Sequence, residues 1–450
     1  MKVCYVIDTT VGARWAYEQL RGLRDTCGFE VTAFISGDRG SLVDELRSEG
    51  IPFHAWNFGF TGLTGLLTLP FRVIALARVF RRERFDVIQT HLFRSMIIGR
   101  LAAWLADAPV RLAMIAGPYH LEAHTLRWID RFTCWMDTVL IPSCEYTRRL
   151  YRRMGVANKR LELIYYGADE KIFDPEQVRP TDLRREFGWS ADTPLIGMVA
   201  YFYPPWRVSG HTPPYLYGRG MKGHEYLIRS ARAVLAEFPK AKFLLIGSAL
   251  LESGQRYMDE LKSLVARLGL QESVIFTGFR SDVNNILRAL DVSVQPSLNE
   301  NLGGTIEALL MECPIVATRI GGMVDSVRNG ETGILVEPAD TNSLAEGILK
   351  LLRNPERARG MARAGRKLML ERFTLSRTVR DLCELYEKLL SENGDAHRKY
   401  RLLISIRRLI ILAPISAFLA LWLITETLIL RACDKIRSSS RETVADSLSE

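Results

Sequence analysis

Two carboxylates and two glycines set close together between residues 296 and 310 carry most of the chemistry legible in this chain. Before and through Pro296-Ser-Leu-Asn299-Glu300-Asn-Leu-Gly303-Gly304-Thr305-Ile-Glu307, a buried-strand pattern at 292–294 passes into small and polar residues and then into a helical pattern with Glu307 in its first turns. That order builds an anion site. Glycines let a phosphate approach the main chain, and the N–H groups and dipole at a helix start favour negative charge. A carboxylate just inside such a site suits sugar hydroxyls. The ligand so described is a nucleotide carrying a sugar. Pro314-Ile-Val-Ala-Thr-Arg-Ile-Gly321-Gly322 follows as a second strand-to-glycine turn.

Other residues of the right type lie elsewhere. Lys222, in Gly220-Met-Lys222-Gly223-His224, offers a cation at a helix start, and His120, in Gly117-Pro-Tyr-His120-Leu-Glu122, follows a strand pattern where an α/β domain places working residues. Glu122 and His91 are weaker candidates of the same kind. No Asp-x-Asp occurs, which argues against a metal-dependent phosphate site.

The elements that must position these groups alternate. Short apolar runs at 3–7, 31–36, 86–90 and 111–116 are separated by helical patterns, and the rhythm restarts at 195–200, 242–246, 273–277, 292–295, 315–317 and 333–336. This is the pattern of parallel sheets wrapped by helices, and 450 residues exceed one ordinary core. Two doubly wound α/β domains facing a cleft are expected, joined through the turn-rich segment 166–181. The stretch 202–219, rich in proline and aromatics, breaks the rhythm and reads as a long functional loop. A helix with Leu382, Leu385, Tyr386 and Leu389 on one face closes the globular part.

The formal charge is +9, yet no basic-aromatic ladder or zinc-finger spacing points to nucleic acid. Seven scattered cysteines without a Cys-x-x-Cys pair suggest reduced thiols in the cytosol, and residues 1–7 read as a first strand, not a signal peptide. Five basic residues at 398–408 precede an uncharged run at 409–425 that extends through Glu426 to Leu430. Membrane attachment through about 398–430 is expected, either as one spanning helix or as an in-plane anchor, and the basic lead-in would keep the rest on the cytoplasmic face.

With Gly278-Phe279-Arg280-Ser-Asp-Val283, Asp291-Val, Pro296-Ser297, Gly330-Glu-Thr-Gly-Ile-Leu-Val336-Glu-Pro, Asp86-Val-Ile-Gln-Thr-His91 and Ile164-Tyr-Tyr-Gly-Ala-Asp169 added, the chain resembles the retaining nucleotide-sugar glycosyltransferases of the GT-B fold, family four, over about residues 1–390. The resemblance implies an N-terminal acceptor-binding domain (1–180), a C-terminal nucleotide-sugar domain (181–372), a closing helix (373–393) and the membrane-associated segment and tail (394–450). It implies that Glu307 holds the ribose, that Gly303, Gly304 and Thr305 approach the phosphate or sugar, that Phe279 and Arg280 flank the base, and that Lys222 meets the diphosphate. His120 would face the donor sugar. Glu300 or Asn299 would meet the transferred sugar, because six residues separate Glu300 from Glu307 where the family has seven. Tyr201 stands where the family has an Arg, and Arg219, or else Arg207, would replace that guanidinium. The implied reaction uses no cofactor and no metal: a UDP- or GDP-linked sugar passes to a glycan or polyprenyl-linked acceptor in cell-surface polysaccharide assembly. The alternatives are a nucleotide-sugar epimerase of the same fold and a non-catalytic nucleotide-sugar-binding protein.

Overall fold

The structure, a computed structural model, describes residues 1–393 apart from 61, 250 and 251. Strands β1 (Lys2–Ile7), β2 (Glu30–Ile35), β3 (Phe53–Ala55), β4 (Val87–His91), β5 (Val110–Ile115) and β6 (Val139–Pro142) form one sheet in the order β3-β2-β1-β4-β5-β6. Strands β7 (Leu195–Val199), β8 (Lys242–Ile246), β9 (Val274–Gly278), β10 (Val292–Gln295), β11 (Ile315–Thr318) and β12 (Ile334–Val336) form the second, ordered β12-β11-β10-β7-β8-β9. All pairings between these strands are parallel. Helices cover both faces, so strands such as β4 and β10 are buried along their whole length, with polar residues such as Gln89, His91 and Ser293 included. In each sheet the order reverses beside the first strand, between β1 and β4 and between β7 and β10. Chains leaving neighbouring strands there turn to opposite faces and open a crevice at the carboxyl ends.

The chain crosses between the two bodies twice, at one place. Ala168 N–H donates to Phe373 O at 3.2 Å, and Leu375 N–H donates back to Ala168 O at 2.8 Å. Gly167 sits against this second crossing so closely that a Cβ would lie 2.1 Å from Thr374 O. Beyond it the helix Leu375–Asn393 returns to the first body and lies along the helix Arg14–Cys27. Leu382, Leu385, Tyr386 and Leu389 are its buried face, at the spacing the sequence indicates. Tyr386 OH donates to Gln89 Oε1 at 2.7 Å and meets Tyr5 OH at 3.3 Å, so the last helix is tied to β1 and β4.

The expectation of unpaired thiols fails for one pair. Cys27 and Cys383 form a disulfide across 356 residues of sequence, brought together because the last helix packs on the first; Cys4, Cys134, Cys144 and Cys313 are free and buried. No spacing rule could reveal such a pair. The expected membrane segment at 398–430 lies outside the described residues, and among those described no helix is long and apolar enough to cross a membrane.

Because Leu382 is fully buried between the two ends of the chain, Leu382→Ala should cost about 2–5 kcal/mol, read as a lower denaturation midpoint in urea. An unchanged midpoint would mean that the closing helix adds nothing to stability.

Candidate active site

β10 delivers the chain to Pro296, and the turn beyond it folds so that Glu300 Oε1 accepts from the Asn301 N–H at 3.1 Å. The other oxygen, Oε2, accepts from the Lys222 ammonium, with Ser297 Oγ 3.5 Å away. Lys222 ends the long loop that follows β7, so its partner on the β10 side lies across the switch point. Leu298 N–H donates to Met221 O at 2.8 Å, and Gly223, at φ 76°, lets the segments touch where a Cβ would lie 2.0 Å from Pro296 O. Burial opposes the charge on Lys222, but the carboxylate of Glu300 outweighs it and holds the ammonium above its ordinary pKa.

The helix Thr305–Leu310 begins at the same turn. Gly303, at φ 56°, and Gly304 precede it; a Cβ on Gly304 would lie 2.7 Å from Gln295 Nε2. The Thr305 hydroxyl donates to Leu302 O at 2.5 Å and meets Ser326 Oγ at 2.7 Å, so it is committed to the loop's own structure. Glu307 is different. Its Oε2 is buried with no hydrogen-bond partner among the described residues, and burial, with a contribution from the Glu18 and Glu300 charges, pushes its carboxyl up to about 7. An acceptor held in this way lacks only a donor, such as a hydroxyl. Gly321 and Gly322 support the loop from below: Cβ atoms there would lie 1.9 Å from Glu300 O and 2.6 Å from the Cβ of Cys144, a residue of the first body.

The facing wall comes from the first body. Glu122 accepts from Tyr146 OH at 2.5 Å, from Tyr215 OH, and from Asn299 Nδ2 at 2.6 Å. One carboxylate thus joins the first body, the long loop and the donor-side turn. The loop at 202–219 is a strap: Trp206 and Gly218 pair across it, Gly210 O accepts from the Thr125 N–H at 3.2 Å, and His211 O accepts from Tyr119 OH at 2.8 Å. Together these groups enclose a cavity of about 570 Å³ lined by Glu122, Tyr146, Arg149, Tyr215, Arg219, Asn299, Glu300 and Arg319, among others. That size suits a small polar ligand.

Residues 12–167 match the model of a glycosyl transferase 4-like domain, and residues 218–368 match that of the glycosyl transferases group 1. The chain belongs to these glycosyltransferases. Similar proteins include the 2-deoxystreptamine glucosyltransferase of Streptomyces kanamyceticus, 27% identical over 82% of this chain and 94% of that one. Another is the UDP-Gal:alpha-D-GlcNAc-diphosphoundecaprenol alpha-1,3-galactosyltransferase of Escherichia coli, 23% identical over 70% of this chain and 78% of that one. Among solved structures, Anabaena Alr3699/HepE in complex with UDP matches with a TM-score of 0.71 at 20% identity, over 86% of this chain and all of that one. The GT-B fold follows from that match and from the two sheets.

The glycosyltransferase brings Glu300, Asn299 and Arg219 to one cavity, pairs Lys222 with Glu300, and turns other candidates away. His120 is the clearest correction. It is buried inside the first body, with Nε2 3.3 Å from Asp130 Oδ2 and 3.4 Å from Tyr151 OH, and Asp130 is held by the buried Arg100 at 2.7 Å. The cause is helical geometry: in the turn Tyr119–Glu122, residues two apart point to opposite sides, so the residue that reaches the cleft is Glu122. His91 is also interior, lowered to about 3 by burial, with Nδ1 3.3 Å from Tyr166 OH. Arg280 pairs with Glu186 at 2.5 Å and Asp282 at 2.8 Å, so its guanidinium is committed to those carboxylates; Phe279 is exposed beside it. Tyr201 faces the glycine loop of the first body, 3.7 Å from a Cβ built on Gly12. Arg207 is exposed and does not line the cavity.

The raised carboxyl of Glu307 makes a pH prediction. Between its ordinary value of 4.5 and about 7, the folded chain binds a proton that the unfolded chain has released. Stability should therefore be greatest below that window and fall as pH rises through it, by something on the order of 3 kcal/mol. Glu307→Gln should flatten this part of the profile, and urea titrations that give parallel slopes for the two proteins would refute the assignment.

Proposed function

We propose that this glycosyltransferase moves a sugar, with retention of configuration and without a metal, from a UDP- or GDP-linked donor to a hydroxyl of a glycan or lipid-linked glycan. The observation that carries the reading is the convergence of Lys222, Glu300, the glycine turn and the unpartnered Glu307 oxygen at the switch point. Glu307 binds the ribose hydroxyls. Lys222, shared between Glu300 and the diphosphate, stabilises the charge that builds on the leaving group, with the Gly303, Gly304 and Thr305 main chain beside it. Arg219, on the strap and lining the same cavity, adds a second cation.

In this reaction the bond from the anomeric carbon to the diphosphate oxygen breaks, and the acceptor oxygen attacks from the same face. Its proton leaves on the departing phosphate oxygen. The protein supplies position and field and no covalent nucleophile. Glu122, with Tyr146 and Tyr215 around it, is the group on the acceptor wall that can take a hydrogen bond from the attacking hydroxyl.

The acceptor assignment draws on the relatives. The Escherichia coli enzyme is named for a diphosphoundecaprenol-linked sugar, and a Staphylococcus aureus relative for capsular polysaccharide biosynthesis. A polyprenyl-linked acceptor fits the apolar, basic segment at 398–430, which would hold the cleft at the cytoplasmic face of the membrane.

Purified enzyme incubated with a panel of nucleotide sugars and polyprenyl-diphosphate sugars should give a product whose anomeric configuration, read by NMR, matches the donor. An isomerised donor would make it an epimerase, and binding without turnover a non-catalytic protein. Lys222→Met should lower kcat by about 10²–10³-fold, and Arg219→Ala should weaken turnover too; wild-type rates in the latter would remove Arg219 from the site. Donor affinity, measured by calorimetry, should rise with pH through about 7 as Glu307 ionises and becomes a full acceptor, and Glu307→Gln should erase that dependence.

A further inference from the structure

We propose that the outer helical layer of the first body docks directly onto an anionic phospholipid surface. The helix Phe93–Ala106 is buried throughout 95–106, covered on one side by the helix Gly62–Glu83 and on the other by the helix His124–Thr133 with the turn Cys134–Met136. Those flanking elements should therefore present polar outer sides. They do not. Trp128, Phe132 and Trp135 are each about half exposed (46%, 51% and 48%), and Leu67 and Phe71 are more so, at 64% and 74%. Trp128 and Phe132 stack with ring centres 5.6 Å apart, and Trp135 stands edge-on to the buried Trp104 at 5.5 Å, so the aromatics are held in place and do not fold inward.

The charge around them has one sign. Between residues 123 and 160 there are eight Arg or Lys and three carboxylates. Of the three, Asp130 and Asp137 are buried on Arg100, and Glu145 pairs with Arg148. The solvent side of this stretch offers Trp128, Arg131, Phe132 and Trp135, then Arg152, Arg153 and Lys159, while Arg149 lines the cleft. Aromatic rings that sit at headgroup depth, beside guanidinium groups that reach lipid phosphates, are the physical signature of an interfacial surface. A second copy of this chain fits poorly, since it would set arginine against arginine.

Position gives the surface its purpose. The helix His124–Thr133 continues directly from the turn that carries Glu122 into the cleft, and the strap is bonded to its start through Thr125. Docking this face lays the mouth of the cleft beside the bilayer, where a polyprenyl-linked acceptor presents its headgroup. The inference rests on the membrane reading above, but it locates the contact in the folded body and not in 398–430.

The test uses the full chain and vesicles of phosphatidylglycerol and phosphatidylcholine with brominated acyl chains, which quench tryptophans that enter the interface. Trp422→Phe removes the tryptophan of the C-terminal segment. Protein carrying that change should sediment with the vesicles and lose tryptophan fluorescence. Adding Trp128→Phe and Trp135→Phe, which keep apolar rings and the fold, should remove most of that quenching. If the Trp422→Phe protein sediments without being quenched, or if quenching survives the two further changes, the face is wrong and membrane attachment stands. If the full chain does not sediment with the vesicles, both fall.

Discussion

Everything the site does depends on a topological constraint: in each parallel sheet the strand order reverses beside the first strand, and the chain must part there. The loop leaving β7 and the turn leaving β10 come from neighbouring strands of the second sheet, which is why Lys222 and Glu300 can meet although 78 residues separate them. No side chain creates this opening. The sheets supply it, and the glycines at 223, 303, 321 and 322 let main chain occupy it without filling it.

On that opening the charges are arranged in opposition. Lys222 is kept ionised in a buried place by one carboxylate, while a second, Glu307, is driven toward neutrality a short way along the same loop. A site so arranged holds one strong cation and one poorly satisfied acceptor. A nucleoside diphosphate carries the complements of both, an anion and a pair of hydroxyls, at a fixed separation.

The second sheet was legible because each of its strands is a short run rich in β-branched and apolar residues between turn formers, and each stands close to where the pattern puts it. The first was less so. β3 is three residues long with two exposed, and β6 is four residues ending in Pro142, so neither leaves a periodic trace. In the site, Lys222, Glu300 and Glu307 could be chosen by type and context, though not their pairing. Glu122 could not be ranked, since its partners at 146, 215 and 299 are scattered along the chain. Its place after a strand pattern, with the family resemblance, selected His120, and a half-turn of helix decided against it.

The two chain crossings at Ala168 and Leu375 have a mechanical consequence. Bonded side by side, they act as an axle: sliding one body past the other would break both main-chain bonds, whereas rotation about the crossing leaves them intact. The closing helix, fastened to β1 and β4 through Tyr386, makes the first body and the end of the chain one lever. Rotation about that axle would part the two walls of the cleft as a clasp parts. The contacts of Glu122 with Asn299 and Tyr215 are its catch, and a substrate that takes over those hydrogen bonds would work the latch.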